Sequence, residues 1–169
     1  YADKPFIAAP SGLAIGGGFE VVLHCDYNVA HTNVVLGLVE SLVGLIPAGG
    51  GCKEMLWRWL QTPEGKENSE HASMKVFDLI GYAITATSPN EALPNQFFLE
   101  KDKVVINRDR QLSTAIDLLN NIEGGYEKPS QPKFNLGGSA VRDKMFEKLE
   151  ALYLSLIHIS EPTRRYAIS

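Results

Sequence analysis

The first third of the chain alternates short apolar runs with glycine turns. Residues 5–9 and 13–15 are apolar and strand-like, three consecutive glycines follow at 16–18, and residues 19–25 continue without a helix breaker. This pattern predicts a strand, a glycine turn and a buried helix in that order. A second apolar run at 34–39 leads to a second glycine-bearing turn at 44–51, which predicts the start of another helix.

The rest of the chain shows helical stripes separated by polar segments. Residues 62–69 predict a polar loop, residues 103–107 a strand and residues 129–132 a linker. Ser88 is expected to cap a short helix that runs to Ala92. Four longer helices are predicted from apolar residues at helical spacing. These stripes are Cys52, Met55, Leu56, Trp59 and Leu60; Met74, Phe77, Ile80 and Ile84; Leu112, Ile116 and Leu119; and Val141, Met145, Leu149 and Leu152.

Composition narrows the function classes. The 169 residues suit one domain, and a hydrophobic content of 44% can supply its core. A net charge of -4 leaves no electrostatic footprint for a nucleic-acid partner. No apolar run approaches the ~18 residues that a membrane span requires. These features predict a cytoplasmic globular protein with no nucleic-acid partner and no membrane span.

The cysteines and histidines give no metal site. Cys25 and Cys52 form no CxxC motif, so they are predicted to be buried thiols rather than ligands or a disulfide. The four histidines show no metal-ligand spacing. His24 lies on the apolar helix after the first glycine turn and is predicted to be a satisfied core histidine.

Glu20 is the first candidate for chemistry, because it falls in the first turn of the helix after the three glycines. The first amides of a helix have no internal partner, and glycine lets a ligand approach them closely, so an oxyanion is stabilised there. A carboxylate beside such a corner suits a general base. The alternative is simple helix-end electrostatics, because the helix dipole also favours an acidic residue at this position.

Glu40 is the second candidate, because it interrupts an apolar run. Buried carboxylates are rare unless they are paired, and desolvation would raise the pKa of this one towards a value useful for proton transfer. The alternative is a solvated residue at a helix start near the Ser41 hydroxyl. Two carboxylates at glycine-bearing turns are what the addition of water to an activated double bond requires.

The residues around both glutamates resemble a known family. Residues 4–9, residues 12–20 with their Gly-Gly-Gly-Phe-Glu ending, and Cys25-Asp26 are similar to the central signature of the crotonase (enoyl-CoA hydratase/isomerase) superfamily. Residues 37–54 are most similar to the hydratase module of bifunctional 3-hydroxyacyl-CoA dehydrogenase/enoyl-CoA hydratases, although ordinary hydratases more often have a proline where this chain has Val39. The resemblance implies an α/β fold, a crotonase-like spiral of strand-helix turns, incomplete here at its N-terminal end.

The resemblance also implies the reaction, which is hydration of trans-2-enoyl-CoA to 3-hydroxyacyl-CoA in fatty-acid β-oxidation. Glu20 would orient and deprotonate the water for attack at the β-carbon, and Glu40 would exchange the proton at the α-carbon. The Gly17 amide would be one of two donors in an oxyanion hole. The turns expected to contact the substrate contain Gly16, Gly18, Pro47 and Gly49.

The implied partners follow from the same resemblance. CoA arrives with the acyl-CoA thioester substrate, so no bound cofactor and no metal are expected for hydration. NAD would belong only to a fused 3-hydroxyacyl-CoA dehydrogenase domain outside this sequence. Family members are usually oligomeric, so a homo-oligomer is expected.

The domain organisation is expected to be a partial hydratase domain at residues 1–153. In this family the second oxyanion donor comes from a loop far upstream of the glycine turn, and only 15 residues precede Gly16. The isolated chain is therefore expected to lack that donor and to be inactive. Residues 154–169 look like the translation of a sequencing adaptor and are interpreted as a non-native tail.

Two alternatives stay open beside the hydratase. One is an enoyl-CoA isomerase of the same fold, which normally needs only one of the two glutamates, so the presence of both argues against it. The other is a catalytically silent scaffold module.

Overall fold

The computed structural model describes residues 2–134 and 136–165, with side chains described as far as residue 151 except at 123. In the first part of the chain the strands are β1 (Ile7–Ala8), β2 (Leu13–Ile15), β3 (Tyr27–His31) and β4 (Val35–Gly37). The later strands are β5 (Thr85–Ala86) and β6 (Lys103–Val105). The helices are α1 (Gly17–His24), α2 (Gly51–Leu60), α3 (Pro63–Glu67), α4 (Ser69–Gly81), α5 (Pro89–Ala92), α6 (Gln111–Ile122) and α7 (Gly138–Arg165). Short 3₁₀ helices cover Glu40–Val43, Arg108–Arg110 and Glu123–Gly125.

The strands form two three-stranded sheets, in the orders β1-β3-β6 and β2-β4-β5. All pairs in the first sheet are parallel. In the second sheet β2 and β4 are parallel, and β5 closes the edge in the antiparallel direction. Because β2 and β4 run in the same direction, the turns that follow them emerge at the same edge of the sheet.

The main core lies between the second sheet and helices α1, α2 and α4. Phe19 and Phe97 pack edge to face at its centre, with ring centroids 5.0 Å apart. The other large side chains that are almost completely buried here include Phe98, Leu36, Leu38 and Met55. A smaller cluster of Val29, Ala115 and Leu118 joins β3 to α6.

Several predicted elements are confirmed. Helix α1 begins at Gly17, within the run of three glycines, and ends at His24, and α2 carries the stripe of which Met55 is completely buried. Strand β6 lies within the predicted range. The Ser88 hydroxyl accepts a hydrogen bond from the Glu91 amide and so caps α5, as its position predicted.

The polar loop predicted at 62–69 is wrong, because α3 forms there and α4 begins at Ser69. The Thr62 hydroxyl accepts from the Gly65 amide at 3.0 Å, and Pro63 occupies the first helical position. Both features favour a helix start. Local capping therefore determines that this segment is helical, although it lacks the apolar stripe of a longer helix.

Helix α6 is present where it was predicted, but it buries a different face. Leu112 and Ile116 are 68% and 48% exposed, while Ala115 and Leu118 pack against β3. The buried Gln111 side chain fixes this rotation, because its Nε2 donates to the Pro10 and Val29 carbonyl oxygens at 2.8 Å each.

Helix α7 belongs to a second compact unit of the chain. Its backbone continues without interruption through residues 154–165. The interpretation of 154–169 as a non-native tail stays a prediction, and its last four residues lie outside the described part of the chain.

Candidate active site

The segments that carry Glu20 and Glu40 start from one edge of the second sheet, after β2 and β4. Strands β2 and β4 are in parallel register, with Ile15 opposite Gly37. The Gly16 amide, just after β2, donates to the Gly37 carbonyl oxygen at 2.9 Å. The helix that carries Glu20 and the 3₁₀ helix that begins at Glu40 therefore leave the sheet side by side.

Glu20 lies in the first turn of α1 and is only 7% exposed. Its Oε1 accepts a hydrogen bond from the Gly51 amide at 2.8 Å. Gly51 is the first residue of α2, and the residue before it, Gly50, supplies no capping side chain. The Glu20 carboxylate thus caps the N-terminus of α2, where an acceptor and a negative charge are both stabilising.

The glycine at position 49 makes room for that carboxylate. A Cβ on Gly49 would overlap Glu20 Oε2 and lie 2.9 Å from its carboxyl carbon. Any side chain there would push Glu20 away from the α2 amide. This close approach explains a glycine at this point of the turn.

Glu40 lies against the other glycine turn. Its Oε1 is 3.5 Å from the position that a Cβ on Gly16 would occupy. Its Oε2 is buried and has no hydrogen-bond partner within the described residues. A buried carboxylate oxygen without a partner is costly in a folded protein and calls for an explanation such as a bound water or a catalytic role.

Both carboxylates act on the same neighbour, the Cys52 thiol at the start of α2. Burial raises the pKa of Cys52 most, and the negative charges of Glu20 and Glu40 raise it further. Coulombic effects of this kind fall off steeply with distance. The contacts of the two glutamates agree with this. Glu20 accepts from the Gly51 amide at the start of α2, and Glu40 lies against Gly16 at the start of α1, so both border one corner of the molecule.

This shared corner gives a prediction that needs no enzymatic activity. Glu20→Gln and Glu40→Gln each remove a negative charge that disfavours the thiolate, so each lowers the pKa of Cys52 and speeds its alkylation at mildly alkaline pH. Cys25 is an internal control, because its pKa is raised by burial and Asp26 and not by these glutamates. Peptide-resolved alkylation rates measure both thiols, and equal Cys52 rates in all three proteins would contradict a shared corner.

The Gly17 amide is available for a ligand. It belongs to the first helical turn of α1, and the described residues provide no backbone acceptor for it outside the helix. The space in which Cβ atoms on Gly17 and Gly18 would lie is open. Gly17, Glu20 and Gly49 line a cavity of about 1200 Å³. An anionic oxygen in this cavity can meet an amide donor with the Glu20 carboxylate close by.

The other predicted site residues lie outside the lining of this cavity. Gly16 is tied to the end of β4, and Gly18 faces open space. Pro47 is buried, and Glu40 approaches the turn from the Gly16 side. The structure therefore brings Gly17, Glu20 and Gly49 to the cavity wall and places Glu40 behind the same glycine turn.

Several further polar residues on the cavity wall were not predicted as site residues. His24, Lys53 and Glu54 line the cavity beside Glu20. The prediction that His24 is a core histidine is wrong, since its side chain is 40% exposed. The spacing of His24, one helical turn after Glu20, was the available signal. Cys25 and Cys52 are free thiols and only partly buried.

The described part of the chain offers no candidate metal centre and no candidate membrane span. No group of three or more His, Cys, Asp or Glu side chains there is arranged to hold a metal ion. Among the same residues, no helix is both long and apolar enough to cross a membrane.

A family model described as enoyl-CoA hydratase/isomerase matches residues 1–67. The probable 3-hydroxyacyl-CoA dehydrogenase of Bacillus subtilis (strain 168) is 36% identical over 139 residues, which are 82% of this chain and 17% of that protein. The peroxisomal bifunctional enzyme of Danio rerio is 47% identical over 53 residues, or 31% of this chain and 7% of that protein. The chain thus spans less than a fifth of these curated relatives.

The fold is also similar to solved structures. An enoyl-CoA hydratase from Polaromonas sp. JS666 superposes with a TM-score of 0.53 at 28% sequence identity. The superposition covers 70% of this chain and 40% of that chain. The sequence and the structure therefore point to the same group of proteins.

Proposed function

Because this chain belongs to the crotonase (enoyl-CoA hydratase/isomerase) superfamily and has its α/β fold, we propose that it carries the active site of an enoyl-CoA hydratase. The observation that carries the proposal is that Glu20 lines the cavity with Gly17 while Glu40 lies against Gly16 of the same glycine turn. An isomerase only moves a proton between two carbons, so one carboxylate suffices. Two carboxylates suit a reaction in which water loses a proton while a carbon gains one.

In the proposed mechanism the thioester carbonyl oxygen accepts a hydrogen bond from the Gly17 amide. Glu20 takes a proton from water as the water oxygen bonds to the β-carbon of the trans-2-enoyl-CoA. The electron pair of the double bond moves towards the carbonyl, and the amide stabilises the developing negative charge. Glu40 then gives a proton to the α-carbon, and proton exchange between the two carboxyl groups restores the starting state.

The surroundings of each carboxylate support this division of labour. Glu20 Oε1 is held by the Gly51 amide at 2.8 Å, which fixes the orientation of the proposed base. Glu40 Oε2 is buried and has no partner among the described residues, so this oxygen is not held by another protein group. The product is a 3-hydroxyacyl-CoA, and CoA enters and leaves with the substrate.

The wider setting is part of the proposal. The names of the two relatives, a probable 3-hydroxyacyl-CoA dehydrogenase and a peroxisomal bifunctional enzyme, suggest fusion to a dehydrogenase that would oxidise the hydratase product. Such a pair of steps belongs to fatty-acid β-oxidation. NAD would then bind only in the dehydrogenase part, and a homo-oligomer is proposed from the family resemblance.

The function is tested by offering the full-length protein a short trans-2-enoyl-CoA in ¹⁸O-labelled water. We expect loss of the conjugated enoyl-thioester absorbance and one ¹⁸O atom at the β-carbon of the product. A parallel reaction with the 3-enoyl-CoA isomer separates the alternatives. Conversion of that isomer to the 2-enoyl form without hydration would show an isomerase, and no reaction with either would favour a silent module.

A further inference from the structure

His24 has contacts that the proposed reaction does not use. It lies one helical turn after Glu20 on α1, and its imidazole forms part of the cavity wall. Two groups on α2 also line this part of the wall, Lys53 and Glu54. The three side chains therefore form a polar cluster directly beside the proposed base.

The hydrogen bonds of His24 orient its ring. Nδ1 lies 2.7 Å from the Glu20 carbonyl oxygen. A carbonyl oxygen can only accept, so Nδ1 carries the hydrogen in this contact. The bond directs Nε2 towards α2, where it lies 3.6 Å from Glu54 Oε1. The same carboxylate oxygen lies 2.6 Å from Lys53 Nζ. When the imidazole also carries a hydrogen on Nε2, this contact is an ion pair that links His24 to the first turn of α2 through Glu54.

The His24 ring also packs on the glycine turn that holds Glu20. A Cβ on Gly50 would lie only 2.7 Å from the ring Cε1 and 2.8 Å from Nε2. Gly50 has a φ of 105°, in the region that favours glycine. The next residue is Gly51, whose amide donates to Glu20 Oε1. Along this turn, Gly49 accommodates the Glu20 carboxylate and Gly50 accommodates the imidazole.

We propose that His24 is a positioning residue for Glu20, acting through Glu54 and the 49–51 turn. The imidazole holds the N-terminal end of α2 against α1 at the point where the Gly51 amide meets the Glu20 carboxylate. Without this contact the turn moves away from α1, and the hydrogen bond to Glu20 opens more often. The catalytic part of this inference rests on the proposed function, because it treats Glu20 as the base.

Hydrogen exchange at the Gly51 amide, followed by NMR on the full-length protein, tests the positioning without any substrate. His24→Ala removes the contact with Glu54 and the ring over Gly50, so the Gly51 amide exchanges about tenfold faster. His24→Gln keeps an amide donor that reaches Glu54, so exchange stays near the wild-type rate. His31→Ala is the matched control, because His31 bonds Asn33 and the Ile106 carbonyl away from this turn. Unchanged Gly51 exchange in His24→Ala overturns the inference.

Kinetics then separate this inference from the proposed function. For enoyl-CoA hydration, His24→Ala lowers kcat by about tenfold with little change in KM, because a misplaced base slows the chemical step more than binding. His24→Gln restores most of kcat. In a double-mutant cycle with Glu54→Ala, the two effects are less than additive, because both variants break one contact. Additive effects would contradict the route through Glu54.

The two hypotheses fail in different ways. A protein without hydratase activity whose Gly51 amide still depends on His24 refutes the proposed function and leaves the positioning contact intact. A protein that hydrates enoyl-CoA equally well with alanine at position 24, and with unchanged Gly51 exchange, refutes the positioning role alone.

Discussion

Replacing Glu20 or Glu40 with glutamine in the full-length protein lowers kcat for enoyl-CoA hydration by at least ~10²-fold, with smaller effects on KM. Glutamine is nearly isosteric but cannot take or give the proton. The fold is preserved in Glu20→Gln, because the amide oxygen of glutamine can still accept from the Gly51 amide. The loss is therefore chemical, and it is measured as the initial rate over a range of substrate concentrations.

A matched control is available on α3. Glu64 is exposed, and Glu64→Gln changes the net charge of the protein by the same amount without touching the cavity. Its kcat stays at the wild-type value. Wild-type turnover in either site variant would refute the pairing of the two carboxylates. Loss of activity in the Glu20 variant alone would favour chemistry that needs a single carboxylate.

Arg58→Met destabilises the protein by about 3 kcal/mol or more, the expected cost of leaving buried acceptors of a charged donor unpaired. Arg58 is only 6% exposed. Its Nη1 donates to the Gln96 and Phe97 carbonyl oxygens at 3.2 and 2.9 Å, and its Nη2 donates to Leu23 O at 3.2 Å. One guanidinium therefore joins the end of α1, helix α2 and the segment at 96–97.

The electrostatics of Arg58 agree with this role. Burial lowers the pKa of the guanidinium, while Asp102 and Glu54 act in the opposite direction. Methionine fills similar volume but donates nothing, so the three carbonyl oxygens lose their shared partner. Urea denaturation measures the effect as a lower midpoint at an unchanged slope.

The control for this substitution is Arg142→Met. The Arg142 side chain is 64% exposed and pairs only with the adjacent Asp143 in the contacts described. An exposed pair contributes about 0–1 kcal/mol, so its midpoint stays close to wild type. Equal midpoints for the two variants would show that the three carbonyl bonds of Arg58 do not stabilise the fold.

Local patterns in the sequence predict elements whose causes are also local. Helix α1 follows from an apolar run without a breaker, and the α5 cap follows from Ser88 at its start. The sequence predicts Glu20 and Glu40 as a pair because Glu20 closely follows the glycines at 16–18 and Glu40 closely follows Gly37, in segments that resemble the crotonase signature. Each of these features depends on a few neighbouring residues, so the spacing of those residues in the sequence is enough to predict it.

Contacts between distant segments explain what the sequence does not predict. Judged from the sequence, the face of α6 with Leu112 and Ile116 suits burial as well as the face with Ala115 and Leu118, which is the buried one. Gln111 determines which face is buried, because its side chain donates hydrogen bonds to carbonyl oxygens 101 and 82 positions away in the sequence. Arg58 resembles a solvated residue on a helix until its three carbonyl partners are known. The sequence also predicts a core position for His24, because periodicity does not show which face of α1 borders the cavity.

Glu20 serves two elements at once, because it also supplies the cap that α2 lacks in its own sequence. Substitutions at this position are therefore selected against even in a lineage that no longer needs the reaction. A descendant that lost its activity would keep an acceptor at position 20 for the sake of folding. Position 40 would be free to drift, because Glu40 Oε2 supports no other group within the described residues. Among homologues of this chain, we therefore expect loss of activity to be accompanied by substitution at position 40 more often than by loss of the acceptor at position 20.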